Sequence, residues 1–459
     1  MGSLRVWLRR KYFQLPPATL ILLSFGLLIL LGTLLLLLPV ASSSGTTSLM
    51  DALFTATSAV CVTGLTVADT ASHFSLFGQA AILVMIQIGG LGLMTFSVLI
   101  FHALGKRVNI QERIAVQDLF SATANQGVYS LIKSIVGFTL VAEGLGALLL
   151  SLHLSAEYHW LKALYLGLFH SVSAFCNAGF ALFSSSLTAY SDDIVFNAII
   201  MPLIVLGGIG FPVIYEIFLR LKCRYRRPKW SMQSKIVLVT TLILIISGMG
   251  IIWLGESQLA LQGNSLRHNI LLTLFQSITC RTAGFNTMDI SALSTTTLTF
   301  MMFLMLVGGS PGSCAGGIKT TTLAVLGVFT WSRISGRKRA NMFKKSIPQN
   351  IISKSFSLIV ISVGVIAVCL FLLLLSAAHD PDVPHGHAMF LTYLFEVVSA
   401  FGTAGLSMGG TEHLNLWGKL LVVLLMLAGR VGILTMAYIV VSRAPKHGLQ
   451  YAEGNLMIG

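Results

Sequence analysis

Charge is what this sequence has least of. Only 10% of its 459 residues are Asp, Glu, Lys or Arg, against 55% hydrophobic residues. Soluble domains carry about 25% charged residues. So few charges cannot cover a water-exposed surface, so lipid must face most of this one. Cysteine is also sparse: six residues, scattered, with no Cys-x-x-Cys pair. That excludes a disulfide framework or a structural zinc site, and with them secretion as a small soluble protein. Nor is there room for a soluble domain, because the longest stretch between apolar runs is about 40 residues.

What the sequence has is long uncharged runs. Pro17 to Val40 and Phe74 to Phe101 contain no Asp, Glu, Lys or Arg. A bilayer core needs about 20 apolar residues. Eight such segments lie at about 17–40, 74–104, 134–154, 194–219, 236–255, 297–329, 355–378 and 418–441. Between them fall four shorter, half-polar segments, near 49–61, 162–176, 268–280 and 388–401. The order is long, short, long, four times over. The first run follows Arg5, Arg9, Arg10 and Lys11 and precedes Ala41-Ser42-Ser43-Ser44, as in a signal peptide. It far exceeds the usual 7–15 apolar residues of such a peptide, so an uncleaved span is expected.

The net charge is +14, and its placement matters more than its size. Of the 30 lysines and arginines, 24 lie in the N-terminal stretch, the tail and the segments 105–133, 220–235 and 333–354. Positive charge stays cytoplasmic. Both termini are therefore expected inside, in a multi-pass protein of the cell membrane. The short segments enter from outside and return to it. Irregular backbone at membrane depth survives only against protein or a water-filled cavity, which points to a pore or a binding pocket. The basic loops at 220–235 and 333–354 set topology and meet anionic lipid, or also offer docking surfaces. No nucleic-acid partner is implied.

The ends of the short segments align. They read Phe54-Thr-Ala-Thr-Ser-Ala-Val-Cys-Val-Thr-Gly64-Leu65, then Phe169-His-Ser-Val-Ser-Ala-Phe-Cys-Asn-Ala-Gly179-Phe180. The third reads Phe275-Gln-Ser-Ile-Thr-Cys-Arg-Thr-Ala-Gly284-Phe285 and the fourth Phe395-Glu-Val-Val-Ser-Ala-Phe-Gly-Thr-Ala-Gly405-Leu406. From Phe to Gly is ten residues in three copies and nine in the third. The long segments that follow repeat as well, with Gly89-Gly90-Leu91-Gly92, Gly207-Gly208-Ile209-Gly210, Gly308-Gly309-Ser310-Pro311-Gly312 and Gly429-Arg430-Val431-Gly432. Two landmarks in register four times make a repeat. A single such glycine would serve helix packing or a turn. Four in register point to a shared axis. Each short helix aims its partly negative C-terminal end into the membrane, which favours a cation. Glycine then lets the chain turn and present its carbonyls. Four such loops form a carbonyl ring that replaces an ion's hydration shell. No ring of carboxylates lines the motif, so a weakly hydrated monovalent cation fits best.

On these motifs the chain resembles the Trk/Ktr/HKT superfamily of potassium transporters, most closely the Ktr-type membrane subunit, over nearly its whole length. The resemblance implies an all-α integral membrane protein. Four pseudo-symmetric helix–pore-loop–helix repeats would surround a central pore, with eight transmembrane spans and four re-entrant pore helices. The repeats would cover 1–104, 105–220, 221–335 and 336–459, with pore loops near 61–66, 176–180, 280–285 and 401–406. The filter residues would be Val62, Thr63, Gly64, Asn177, Ala178, Gly179, Thr282, Ala283, Gly284, Thr403, Ala404 and Gly405. In the family four filter glycines go with potassium, and a serine in the first copy goes with sodium; here that position is Gly64. The resemblance also implies a homodimer and a cytosolic nucleotide-binding regulatory subunit ring. Potassium would be the substrate and sodium a candidate activator, with no cofactor bound. A sodium-coupled or sodium-conducting symporter on the same scaffold is the alternative.

The sixth long segment is interrupted from Gly308 to Gly317, where Gly, Ser and Pro cannot sustain a helix. It is expected to form a movable plug, or else a static kink. In the family it resembles the intramembrane gate loop, with Gly308, Gly309, Ser310, Pro311, Gly312, Ser313, Gly316, Gly317, Lys319 and Arg430 as gate residues. The run Gly312-x4-Gly317-Ile-Lys319-Thr320 looks like a phosphate-binding loop but lacks the strand such a loop follows. Arg430 is an intramembrane charge, costly and so a candidate constriction; the alternative is a packing charge paired with Glu143 or Glu216. Lys319 either anchors the plug or snorkels to the interface. Arg281 is expected to point away from the cation path and bond neighbouring backbone carbonyls. Cys61, Cys176 and Cys280 read as small-residue packing behind the filter. Ser310 and Ser313 have no recognisable base other than Lys319, so an enzyme is not expected.

Overall fold

The computed structural model describes residues 17–43, 45–92, 128–222, 229–378 and 387–433. The basic N-terminal stretch, the loop charges Lys106, Arg107 and Arg113, Arg224 to Arg227, and the tail with Arg443 and Lys446 lie outside the described residues.

The described chain is helical apart from one small hairpin. In order the helices are α1 (Pro17–Leu36), α2 (Leu49–Cys61), the single turn α3 (Thr70–His73), α4 (Leu76–Leu91), α5 (Val128–Leu154) and α6 (Trp160–Cys176). Next come α7 (Ile194–Ile209), α8 (Phe211–Lys222), α9 (Met232–Glu256), α10 (Leu266–Thr279) and α11 (Thr295–Leu306). The last four are α12 (Thr320–Ile334), α13 (Gln349–Ala377), α14 (His387–Gly402) and α15 (Leu416–Val431). The expected short segments are α2, α6, α10 and α14, each within two residues of its predicted bounds. Three described helices are long and apolar enough to cross a membrane, Lys133–Leu154, Met232–Glu256 and Gln349–Ala378. The basic 333–354 loop carries an antiparallel hairpin, Asn341–Met342 with Lys345–Ser346. Its two turn residues, Phe343 and Lys344, both have positive φ.

Sequence punctuation sets the starts of the helices that follow the short ones. The side chains of Ser75, Asp193, Ser294 and Asn415 accept from the backbone N–H groups of Gly78, Phe196, Thr297 and Gly418. Each such cap contributes about 1 kcal/mol. The fourth long segment, 194–219, is interrupted as well as the sixth. α4 stops before Gly92, α7 before Gly210 and α15 before Gly432, with φ of 80°, 97° and 91°. In the third copy the matching position is Pro311, and the next residue, Gly312, has φ 72°. The left-handed backbone of these glycines ends a right-handed helix. The predicted span 194–219 is therefore two helices meeting at 105°. The predicted spans 74–104 and 418–441 are helical only to Leu91 and Val431 within the described residues, apart from Ile433.

Packing runs in a closed circuit. α4 packs on α6, α7 on α10, α11 on α14, and α15 on α2. Three of the four also pack on the short helix preceding them: α4 on α2, α7 on α6 and α15 on α14. The circuit is joined at its rim by an ion pair from Lys419 on α15 to Asp51 on α2, at 2.8 Å. The core is the short helices themselves. Phe54, Phe169, Phe275 and Phe395, the residues that open the four motifs, are all fully buried.

The glycine pairs allow this close approach. A Cβ added to Gly89, Gly207 or Gly429 would collide with the carbonyl oxygen of Val60, Phe175 or Phe401. Those carbonyls each lie four residues before a motif glycine. Replacing Gly89 by Ala is therefore expected to cost about 1–3 kcal/mol, the range for overpacking a tight interior. Gly364→Ala on α13, where a Cβ meets nothing within 4 Å, should leave stability unchanged or raise it. Thermal unfolding of the detergent-solubilised protein compares the two; equal effects would contradict this packing.

Candidate functional site

Each short helix ends in the same way. The residue two before the motif glycine has left-handed backbone: Val62 (φ 57°), Asn177 (60°), Thr282 (72°) and Thr403 (52°). The glycine is left-handed too: Gly64 (92°), Gly179 (71°), Gly284 (77°) and Gly405 (80°). Thr63, Ala178, Ala283 and Ala404 stand between them with negative φ. Alternating the hand of successive residues turns successive carbonyls toward one side, whereas a regular strand alternates them. The N–H of the middle residue bonds back to the helix. Thr63, Ala178 and Ala404 donate to the carbonyls of Ser58, Ser173 and Ser399, each at 2.8 Å and five residues back, the closure of a Schellman end. Ala283 donates to Thr279, at 2.9 Å and four residues back. This tighter closure explains the nine-residue spacing of the third copy.

The four loops meet. A Cβ on Gly64 would lie 2.5 Å from the Ala178 carbonyl oxygen and 3.0 Å from Gly179 Cα. One on Gly179 would lie 2.8 Å from Gly284 Cα, one on Gly284 3.3 Å from Gly405 Cα, and one on Gly405 3.0 Å from Gly64 Cα. The contacts close a ring in chain order, and both its dihedrals and its tightness require glycine.

Hydroxyls on the short helices hold these loops, a feature not picked out from the sequence. Ser58 Oγ accepts from Gly64 N–H at 3.1 Å, Ser173 Oγ donates to the Phe180 carbonyl at 2.7 Å, and Thr279 Oγ1 donates to the Phe285 carbonyl at 2.5 Å. Ser399 is the matching residue of the fourth copy. The signal was in the aligned motifs, as a Ser or Thr in register four times. In the fourth copy the buried Glu396 takes over, accepting from the Ser407 and Thr411 hydroxyls, both at 2.5 Å, and from Met408 N–H at 3.1 Å.

After the glycines the ring opens onto a cavity of about 450 Å³. Its lining includes all four glycines, Thr66, Asn286 and Ser407, and its charged side chains are the carboxylates of Asp69 and Asp289. Asp69 accepts from the Ser184 hydroxyl at 2.6 Å, from Ser72 at 2.8 Å and from Ala71 N–H at 3.1 Å. Burial pushes the Asp69 carboxyl upward. The bonds from Ser184, Ser72 and the backbone outweigh it and hold the group below its usual range.

Before the glycines the ring meets the segment 307–319, between α11 and α12, which holds Gly308 to Gly317 and Lys319. The segment closes on itself through Ile318 N–H to Leu306 O and Thr320 N–H to Gly309 O, both at 3.1 Å, and through the Ser310 and Thr320 hydroxyls at 3.0 Å. It is docked on the second set of helices. Ser310 N–H donates to Gly208 O (3.0 Å), Cys314 N–H to Gly207 O (3.2 Å), and Phe211 N–H to Gly312 O (2.9 Å). Pro311 faces Gly210, whose Cβ would lie 2.7 Å from the Pro311 carbonyl oxygen. Ser313 bonds within the segment, its Oγ accepting from Ala315 N–H at 3.3 Å. On the fourth loop, Gly316 N–H donates to Thr403 Oγ1 at 3.1 Å.

Two cations hold the same stretch of carbonyls. Arg430 donates to Cys314 O and to Gly89 O. Lys319 Nζ donates to Ala315 O at 2.7 Å and Gly316 O at 3.5 Å. These Lys319 bonds lie within the segment itself. Among the described residues Arg430 is not paired with an acid. Glu143 accepts instead from Gln87 Nε2 (3.1 Å) and Cys176 Sγ (3.6 Å), and Glu216 from Ser231 and Ser234. Arg281 is buried and turned toward α9. It reaches the Thr241 hydroxyl at 3.4 Å rather than the backbone carbonyls expected of it. Cys61, Cys176 and Cys280 are buried free thiols, and Cys176 fills the space beside Gly90.

The TrkH family, described as cation transport protein, matches residues 17–448. Over 455 residues the chain is 36% identical to the Ktr system potassium uptake protein B of Bacillus subtilis, covering 98% of each chain. It is 37% identical over 456 residues to the potassium/sodium uptake protein NtpJ of Enterococcus hirae, covering 98% of this chain and 99% of that one. The crystal structure of the potassium transporter TrkH from Vibrio parahaemolyticus has a similar fold, with a TM-score of 0.71 and 18% identity over 92% of this chain and 84% of that one.

Asp69 and Ser184 join the first and second sets of helices at the cavity rim, and this link depends on pH. Because the folded carboxyl is held low, its contribution is fully present above the ordinary carboxylate pKa of about 4 and is lost as pH falls through the folded value. Ser184→Ala should cost about 1 kcal/mol at pH 7, the low end for a bond to a charged group at a partly exposed site. The gap to wild type should be smaller at about pH 3, as protonation of Asp69 sets in. A gap in thermal stability that is the same at both pH values would contradict an ionised Asp69 as the acceptor.

Proposed function

The chain belongs to the TrkH family of cation transport proteins, and on that premise we propose that it takes up potassium across the cell membrane through the ring of four glycine loops. It is a multi-pass membrane protein. On our reading its four helix sets are pseudo-symmetric repeats around one pore, with eight spans and four re-entrant helices, and both termini are cytoplasmic. The observation that carries the proposal is the ring itself: four backbone loops in mutual contact, opening onto a cavity whose charged lining groups are carboxylates.

The mechanism follows from the geometry. Asp69 and Asp289 raise the local cation concentration at the mouth. A potassium ion sheds water as carbonyls of the segments 62–64, 177–179, 282–284 and 403–405 replace it. The partly negative ends of α2, α6, α10 and α14 favour the ion there. Below the ring, the segment 307–319 blocks the path while it is docked, and Arg430 and Lys319 add a positive barrier. Conduction requires the segment to give up its bonds to Gly207, Gly208, Phe211, Thr403 and Arg430. Such a displacement suits control from outside the chain. The Ktr system name of the Bacillus relative and the basic 333–354 loop support a cytosolic nucleotide-binding regulatory ring and a homodimer.

A sodium-conducting or sodium-coupled pathway is the second reading, supported by the potassium/sodium name of the Enterococcus relative. Gly64 in the first loop favours potassium. An enzyme reading is set aside because the relatives are transport proteins.

Rubidium uptake into liposomes holding the purified protein tests the proposal against a Gly284→Ser variant. Wild type should take up potassium and rubidium in preference to sodium. The variant, with a side chain forced into the ring, should lose about tenfold of that preference, roughly 1.4 kcal/mol. A variant with wild-type selectivity would sink the carbonyl-ring reading.

A further inference from the structure

The contact between Thr403 and Gly316 has a chemistry that none of the other three loops shares. The four residues two before the motif glycines are Val62, Asn177, Thr282 and Thr403. All are left-handed, a conformation that β-branched residues avoid and that surrounding structure must enforce. Val62 has no polar side-chain atom. Asn177 packs its side-chain amide against Gly208, where a Cβ would lie 3.3 Å from it, and its NH2 donates to the Ala174 and Ile204 carbonyls. The Thr282 hydroxyl is buried without a hydrogen-bond partner among the described residues. The Thr403 hydroxyl accepts from Gly316 N–H at 3.1 Å, in the middle of the blocking segment. The fit there is tight: a Cβ on Gly316 would strike the Thr403 side chain, and one on Gly317 would lie 3.3 Å from Gly402.

We propose that Thr403 couples ion occupancy of the ring to docking of the 307–319 segment, its hydroxyl being the joint between the two. This rests on the potassium-filter reading. Beyond the helix-end closure of Ala404 N–H on Ser399 O that the loops share, two forces act on Thr403: the bond from Gly316 on one side and, through its own carbonyl, the ion on the other. An ion in the ring keeps the hydroxyl where Gly316 needs it, so an occupied ring and a docked segment support each other. When the ring empties, Thr403 loses the restraint on its carbonyl, and its hydroxyl shifts so that the bond to Gly316 weakens. The reverse holds by linkage: release of the segment weakens the ring's grip on its ion. Such a joint keeps the path shut while an ion waits and lets the ion go once the segment is drawn aside. Thr403 is here a positioning residue.

Hydrogen exchange of the full-length protein in lipid nanodiscs, read over residues 308–319 in potassium and in choline buffer, tests this beside thermal stability in the same two buffers. Wild type should be stabilised by potassium, and its segment should exchange several-fold more slowly in potassium. In Thr403→Val the segment should exchange at one rate in both buffers, while potassium still raises the thermal stability. Thr403→Ser should restore the potassium effect. In liposomes Thr403→Val should raise both the maximal rubidium uptake rate and the KM. A wild-type segment indifferent to potassium, in a protein that potassium does stabilise, would overturn the coupling and spare the filter reading. A protein that potassium neither stabilises nor crosses would overturn both. A Thr403→Val segment that keeps the potassium effect would show that the joint lies elsewhere.

Discussion

A peptide group that leaves a helix at membrane depth finds no water, and most of this structure answers that constraint. Each short helix stops in the interior, where its last carbonyls and the next N–H groups would otherwise go unpaired. The N–H of Thr63, Ala178, Ala283 and Ala404 returns to the helix. The hydroxyls of Ser58, Ser173 and Thr279 hold the residues just beyond. On the proposed reading, what is left over is a set of carbonyls turned toward the centre, the groups a dehydrated cation needs. Stability and function here use the same unpaired oxygens.

The 307–319 segment meets the constraint by another route. It is a break in a membrane helix, and its backbone is satisfied by three neighbours. The end of α7 accepts from Ser310 and Cys314, Thr403 accepts from Gly316, and Arg430 and Lys319 donate to the carbonyls of Cys314 to Gly316. Cationic side chains occupy carbonyls much as an ion would. On the proposed reading these hydrogen bonds hold the segment as a plug, and the burial of Val307, Ser310, Cys314 and Ile318 adds to the cost of releasing it. A docked segment and a released one then differ by these bonds and this burial, which a partner's binding energy could offset.

Much of this was legible in the sequence, for physical reasons. The four glycines were found because ring closure demands both positive φ and no side chain, and few positions demand both. The short helices were placed within two residues because their half-polar composition separates them from the lipid-facing runs. The break at Gly308 was visible because three residue types there oppose a helix. The breaks at Gly92, Gly210 and Gly432 were not, since one glycine beside Leu, Ile or Val does not outweigh the apolar run around it. Partners of buried charges were the weakest part. The alternative that set Arg430 beside Glu143 or Glu216 gives way to bonds to backbone, and Arg281 bonds a threonine. Sequence spacing gives no access to which oxygen lies within reach across a helix interface. The Ser and Thr that brace the loops stood in every aligned copy, but their role depends on a loop path known only in three dimensions.

The central claim is that the four loops bind a dehydrated monovalent cation through backbone oxygens. The most direct measurement is a crystal structure of the protein in thallium, whose anomalous signal locates the ion. The account predicts a peak at the centre of the ring of Gly64, Gly179, Gly284 and Gly405, ligated by carbonyl oxygens from all four loops and removed by competing potassium but not by choline. A ring without thallium, with any bound ion held instead by Asp69 or Asp289 at the mouth, would contradict it.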